Sequence, residues 1–165
     1  MTRQDGFTLL ELMIVVALIV IIAAITIPSI TEAKIHTTEA SALASVRAIS
    51  VAEVTYESTY GGYAPSLANL GGAEPCSRSA ETACLIDQSL AEGAKSGYHF
   101  TAIGGNPSGG SNTSYVVGAA PDVFGRTGRR LFCTTDKSVI RADINSAGST
   151  VPPDASQCVT FSALK

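Results

Sequence analysis

A chain of 165 residues, 45% apolar and 15% charged, suits one domain plus an appendage and is too apolar to stay disordered. Its 11 basic and 14 acidic side chains give a net charge of −3, and so mild an acidity carries no nucleic-acid footprint. No G-x-S-x-G, P-loop, G-x-G-x-x-G or H-E-x-x-H pattern is present, which leaves no recognised catalytic motif to build on.

The chain opens on Gly6-Phe7-Thr8-Leu9-Leu10-Glu11 and an apolar run that closes on Ile27-Pro28. From Leu12 to Ile27 there is no charge and one hydroxyl, Thr26. At about 1.5 Å per residue this is roughly 24 Å of helix, short of the ~30 Å of a bilayer core. Starting the helix at Phe7 closes the gap and places Glu11 inside it. A carboxylate costs about 2.5 to 3.5 kcal/mol at the bilayer centre and less near the interface, so its presence points to a partner. The helix dipole favours an acid in the first turn by only about 0.3 to 1 kcal/mol, too little to offset burial. A secretory signal peptide is a competing reading, but its positive region would be thin and no clean A-x-A site follows. A plain membrane anchor is another, and it leaves Glu11 unexplained.

Gly6-Phe7-Thr8-Leu9-x-Glu11 followed by an apolar run ending in Ile27-Pro28 resembles the N-terminus of type IV pilins and type II secretion pseudopilins. The resemblance is close over roughly the first 60 residues and holds only in general plan beyond them. It implies that a prepilin peptidase cuts after Gly6 and methylates the new terminal amine of Phe7. Residues 1–6 are then a removed leader, and loss of Arg3 and Asp5 leaves the net charge unchanged. Residues 7–28 remain as a transmembrane helix and later a filament-core helix, with Glu11 pairing with the terminal amine of a neighbouring subunit. Removing one partner of such a buried pair typically costs about 3 to 5 kcal/mol.

The family implies further partners: other copies of the chain in a helical homopolymer, the pilus assembly machinery with its ATPase, and the inner membrane before assembly. The subunit is expected N-in, C-out in that membrane and then in a surface filament. No enzyme activity, cofactor, metal or specific nucleic acid is implied. The function expected is that of a type IV pilus subunit. A pseudopilin or minor pilin of a secretion or adhesion system is the alternative within the class, and a membrane-anchored periplasmic binding domain is the alternative outside it.

Pro28 would break an ordinary helix, but membrane helices tolerate a proline as a kink. Residues 29–60 contain no glycine or proline and are rich in alanine, which predicts an amphipathic continuation of the helix. Ile35, Ala42, Val46, Ile49 and Tyr56 fall on one stripe, interrupted by Glu39 and Glu53. Gly61-Gly62 ends the helix. Read as one element, Phe7 to Tyr60 spans about 80 Å, and a 165-residue globule cannot bury that length within itself.

Residues 61–165 read as a globular α+β head. Tyr63 to about Pro75 is a loop with one short turn, and Ala80 to Ala94 predicts a short helix ending near Gly93. Strands are expected at Tyr98–Ala102, Tyr115–Val117, Leu131–Thr134 and Val139–Asp143, with Gly104–Gly110 a flexible loop and Asp136–Ser138 a hairpin turn. Antiparallel strands on the second half of the long helix would hide its apolar stripe. Such a helix on a small antiparallel sheet is the pilin fold.

Cysteines occur only after the apolar run: Cys76, Cys84, Cys133 and Cys158. Two disulfides are expected in a body outside the inner membrane, and four cysteines allow three connectivities. Pairing within segments favours Cys76 with Cys84 and Cys133 with Cys158, worth about 2.5 and 3.5 kcal/mol by loop entropy. Zinc is the rival use, but C-x-x-C is absent. Asp122, Asp136, Asp143 and Asp154 are weak calcium candidates without an EF-hand loop. Arg126, Arg129 and Arg130 form a basic cluster read as solvated, and Asn112-Thr113-Ser114 fits a glycosylation sequon.

Overall fold

The computed structural model describes residues 7–73 and 75–164. Its longest element is helix α1, Leu9–Tyr60. The chain divides into two compact units, one ending at Lys34 and the other running Ile35–Lys165.

In the first unit α1 carries an apolar sequence with large side chains exposed on every side, including Leu12, Ile14, Leu18 and Ile22. Such a helix has no face of its own to hide, unlike the amphipathic helix of a globular core. The backbone stays helical through Pro28, and Thr26 Oγ1 donates to the Ile22 carbonyl one turn earlier at 2.8 Å. The Pro28 side chain lies outside the described residues, as does the predicted leader, residues 1–6.

In the second unit the expected stripe is the buried one. Ile35, Ala42, Val46, Ile49, Ala52 and Tyr56 are all buried, at the spacing of one helical face. Burying a Val or Ile side chain stabilises by about 1.5 to 3 kcal/mol, so this face is the main fastening of the helix to the rest of the unit. The helix stops at Tyr60 because Gly61 adopts φ +78°, the left-handed conformation that ends a helix at little cost only for glycine.

Short helices α2 (Leu67–Leu70) and α3 (Gln88–Ala91) precede a six-stranded antiparallel sheet. Its strands are β1 (Ala94–Lys95), β2 (Tyr98–Ser108), β3 (Ser111–Pro121), β4 (Leu131–Thr135), β5 (Arg141–Asp143) and β6 (Ser162–Ala163), neighbours in chain order. Alternation places Tyr98, Phe100 and Ala102 of β2, and Tyr115, Val117 and Ala119 of β3, on the face turned to α1. Phe132 of β4 completes this layer, and Tyr115 fixes its level by a 2.8 Å hydrogen bond to Ser50. The architecture is therefore α+β, a long helix packed through its second half on an antiparallel sheet.

Behind the sheet lies the tail. Gly118 has no side chain there, and a Cβ would come within 2.5 Å of the Pro153 carbonyl, so only glycine lets residues 152–153 rest on β3. Helix α4 (Ala155–Cys158) follows, started by a reciprocal capping box between Asp154 and Gln157. Cys158 is bonded there to Cys133 of β4, and Cys76 to Cys84, with Cα separations of 5.8 and 6.2 Å. These are the two pairs favoured from the sequence.

Two expectations need correction. Gly104–Gly110 is not a loop: β2 continues to Ser108, pairs Gly104 with Tyr115 and Pro107 with Asn112, and turns only at Gly109-Gly110. The two-residue Gly109-Gly110 turn sets the extension by holding Pro107 opposite Asn112 and Ser108 opposite Ser111, and Gly104 N–H is held further by the Pro65 carbonyl. The Ala80–Ala94 helix shrinks to α3 alone. Residues before it are held in an irregular path by the Cys76–Cys84 bond and by the Leu70 carbonyl, which accepts both the Leu85 and Ile86 N–H groups.

Candidate assembly helix

The start of α1 is set by a side chain. Thr8 Oγ1 accepts the Glu11 backbone N–H at 3.2 Å, and the Thr8 carbonyl accepts the Leu12 N–H. Threonine at an N-cap satisfies one of the donors a helix leaves open, typically worth about 1 kcal/mol. The helix thus begins at Leu9 and not at Phe7, and Phe7 stands outside it, 84% exposed. The signal for this lies in the sequence as Thr8-x-x-Glu11, a threonine followed three residues later by glutamate ahead of an apolar run.

Glu11 therefore sits in the first turn of α1, on the side of the dipole that favours an anion. It is exposed, and its carboxylate has no hydrogen-bond or ion-pair partner among the described residues. Around it Leu9, Leu10, Leu12, Met13 and Ile14 are more than half exposed. The result is a single charge on an uncovered apolar rod. Covering those side chains would strip the carboxylate of water, and a cation would then have to replace that solvation.

Among the described residues no helix is long and apolar enough to cross a membrane. Described apolar side chains run without a gap from Leu9 to Ala24 apart from Glu11, about 24 Å against the ~30 Å of a bilayer core.

Residues 1–27 match the family model of the prokaryotic N-terminal methylation motif. This is the type IV pilin and pseudopilin signature. The match covers the N-terminal motif alone; it supports a type IV pilin-like or pseudopilin protein and implies prepilin-peptidase processing of a membrane-anchored precursor in a pilus or secretion assembly context. No curated protein and no solved structure matches the chain. Within the motif, Gly6 lies outside the described residues, while Phe7, Thr8 and Glu11 occupy the positions just given.

Elsewhere the candidate residues serve local structure. Asp154 caps α4, Asp143 Oδ2 accepts the Asn145 N–H, and Asp122 lies 3.1 Å from His99 Nε2. No group of three His, Cys, Asp or Glu among the described residues is placed to hold a metal. Two residues of the basic cluster are tied to α1: the Arg129 N–H donates to Glu39 Oε1 at 2.8 Å, and Arg130 Nε lies 3.8 Å from Glu39 Oε2. Thr38 Oγ1 donates to the Thr127 carbonyl beside them. Asn112 spends its side-chain amide on the Tyr63 carbonyl at 3.2 Å, so the sequon asparagine is part of the packing.

Both acids that interrupt the buried stripe have structural work. Glu39 holds the 129–130 loop as described. Glu53 is fully buried, and its Oε2 accepts the Ala64 N–H at 2.9 Å. Burial pushes the Glu53 carboxyl up to about 7, against the opposing pull of the Ala64 hydrogen bond. Sequence periodicity alone shows these two residues as flaws in the stripe, because their partners are loop amides with no pattern of their own.

Proposed function

We propose that the chain is a structural, non-enzymatic subunit of a type IV pilus that polymerises through its N-terminal helix into a surface filament. The observation that carries this reading is Glu11, an exposed carboxylate without a partner among the described residues, in the first turn of a helix whose apolar side chains are uncovered. In a homopolymer those side chains bury against sister helices, and the cation that answers Glu11 is the methylated amine of Phe7 on a neighbouring copy. The precursor rests in the inner membrane with its head outside, loses residues 1–6 to prepilin peptidase, and is drawn into the filament by the assembly machinery. Two disulfides in the head fit an oxidising compartment.

The test is mass spectrometry of the mature N-terminus together with electron microscopy of sheared surface fibres. A chain that begins at N-methylated Phe7 and forms the dominant fibre band supports the reading. An intact Met1, or fibres lacking the chain, overturns it. A methylated Phe7 on a chain present only in trace amounts in fibres would assign it instead to the pseudopilins or minor pilins.

A further inference from the structure

The turn out of α1 is built around one buried acid. After Tyr60 the chain reverses at Gly61-Gly62 and runs as a strap, residues 63–66, across the end of the β2–β3 hairpin. Four backbone groups hold the strap. Tyr63 N–H donates to the Asn112 carbonyl at 3.0 Å, Asn112 Nδ2 donates to the Tyr63 carbonyl, Gly104 N–H donates to the Pro65 carbonyl, and Ala64 N–H donates to Glu53 Oε2. Among the described side chains of α1, Glu53 is the one with a hydrogen bond to the strap. Its other oxygen, Oε1, is buried and has no hydrogen-bond partner.

Among the described residues, the groups that face this acid offer no counter-charge. They are Tyr56 from α1 itself and Tyr63 from the strap, and the Tyr63 ring lies tilted against Tyr115 of β3 with ring centres 4.7 Å apart. Glu57 and Asp136 add negative charge near Tyr63, and Glu81 adds it near Tyr56. A buried carboxylate with one bare oxygen in such surroundings costs more than the single amide bond returns.

We infer that Glu53 is a proton-operated latch, which holds the 63–66 strap and the hairpin tip against α1 while protonated and releases them when it loses its proton. The latch lies in the second unit, far along the chain from the methylation motif, and does not depend on the assembly reading. Raised burial of this acid also favours the proton near neutrality, in the direction the geometry requires.

The experiment is amide hydrogen exchange on the full chain in detergent micelles, corrected for the intrinsic pH dependence of exchange. Peptides covering 61–66 and 104–114 are compared between pH 6 and pH 8.5, in the native chain and in Glu53→Gln, which keeps an acceptor for Ala64 but cannot ionise. The native strap is expected to lose about tenfold in protection across that range, as linkage to a proton bound more tightly in the closed state requires. In Glu53→Gln its protection stays flat. A native strap whose protection is independent of pH, or a variant with the same pH response, overturns the latch. Should Glu53→Gln fail to fold, carboxyl-carbon NMR and hydrogen exchange of the native chain are followed together over the same pH range: strap protection that falls through the Glu53 midpoint supports the latch, and protection that does not follow it overturns it.

Discussion

Glu39 Oε1 accepts the backbone N–H of Arg129 at 2.8 Å, joining two residues 90 positions apart. The acid is only 9% exposed, so the loop amide is satisfied by a side chain that has itself left water. Glu39→Ala is expected to strand that amide and to destabilise the second unit by about 1 to 3 kcal/mol, read as a fall in denaturant midpoint. Glu39→Gln keeps the acceptor and should cost clearly less. Equal losses for the two variants would mean that the Arg129 bond contributes nothing.

Glu11→Val tests the charge on the rod. The variant removes an expensive group from an apolar helix, so membrane insertion is expected to be unchanged or improved. Assembly should nevertheless stop, because register between copies would lose its one charged contact. Membrane fractionation and fibre yield measure the two outcomes, and normal fibres would remove the pairing role.

Asp87 supplies the pH dependence at the acid end. It caps α3 through Leu90 N–H and lies 2.7 Å from Lys95 Nζ. Hydrogen bonds from Lys95 first and Ser89 second hold its carboxyl down to about 2. Because the folded value is depressed, the stabilising contribution is present above the ordinary aspartate value near 4 and is lost as pH falls through about 2. Both partners are substantially exposed, so the effect is local and small. An NMR titration should place the Asp87 midpoint near 2 in the native chain and move it upward in Lys95→Ala.

The Cys133–Cys158 bond closes a loop of 25 residues and pins α4 to β4. Cys133→Ala with Cys158→Ala is expected to destabilise the second unit by about 3.5 kcal/mol, against about 2.5 kcal/mol for the Cys76 and Cys84 pair. Thermal denaturation of the two double variants ranks them, and the reverse order would show that native contacts and not loop closure dominate.

Much of the fold was legible because its causes are local. The glycine pair after Tyr60, the Ile35–Tyr56 stripe and the alternation from Tyr98 to Ala102 each follow from neighbours in sequence. The motif at Gly6, Phe7 and Glu11 was legible for the same reason, since it is a linear stretch of sequence. What could not be read depends on distant partners. The helix expected from Ala80 gives way to bonds from Leu70 and Cys76, and the outer edge of β2 at Gly104 is met by the Pro65 carbonyl. Glu39 and Glu53 appeared as interruptions because the amides that answer them, Arg129 and Ala64, belong to loops. Thr8 is a local signal of another kind, a cap that sets the helix start at Leu9 and not at Phe7.

The sheet ends on both sides in strands of two residues, Ala94–Lys95 and Ser162–Ala163. Where β1 stops, other backbone meets the outer edge of β2, Phe100 N–H donating to the Gly93 carbonyl and Gly104 N–H to the Pro65 carbonyl, which leaves a passing chain little free ladder to extend and is how natural sheets resist edge-to-edge stacking. At the crowding any polymer of such heads would bring, adjacent copies can therefore touch without fusing into a continuous ribbon. If the chain polymerises as proposed, growth and disassembly would be left to side-chain contacts, which can be undone.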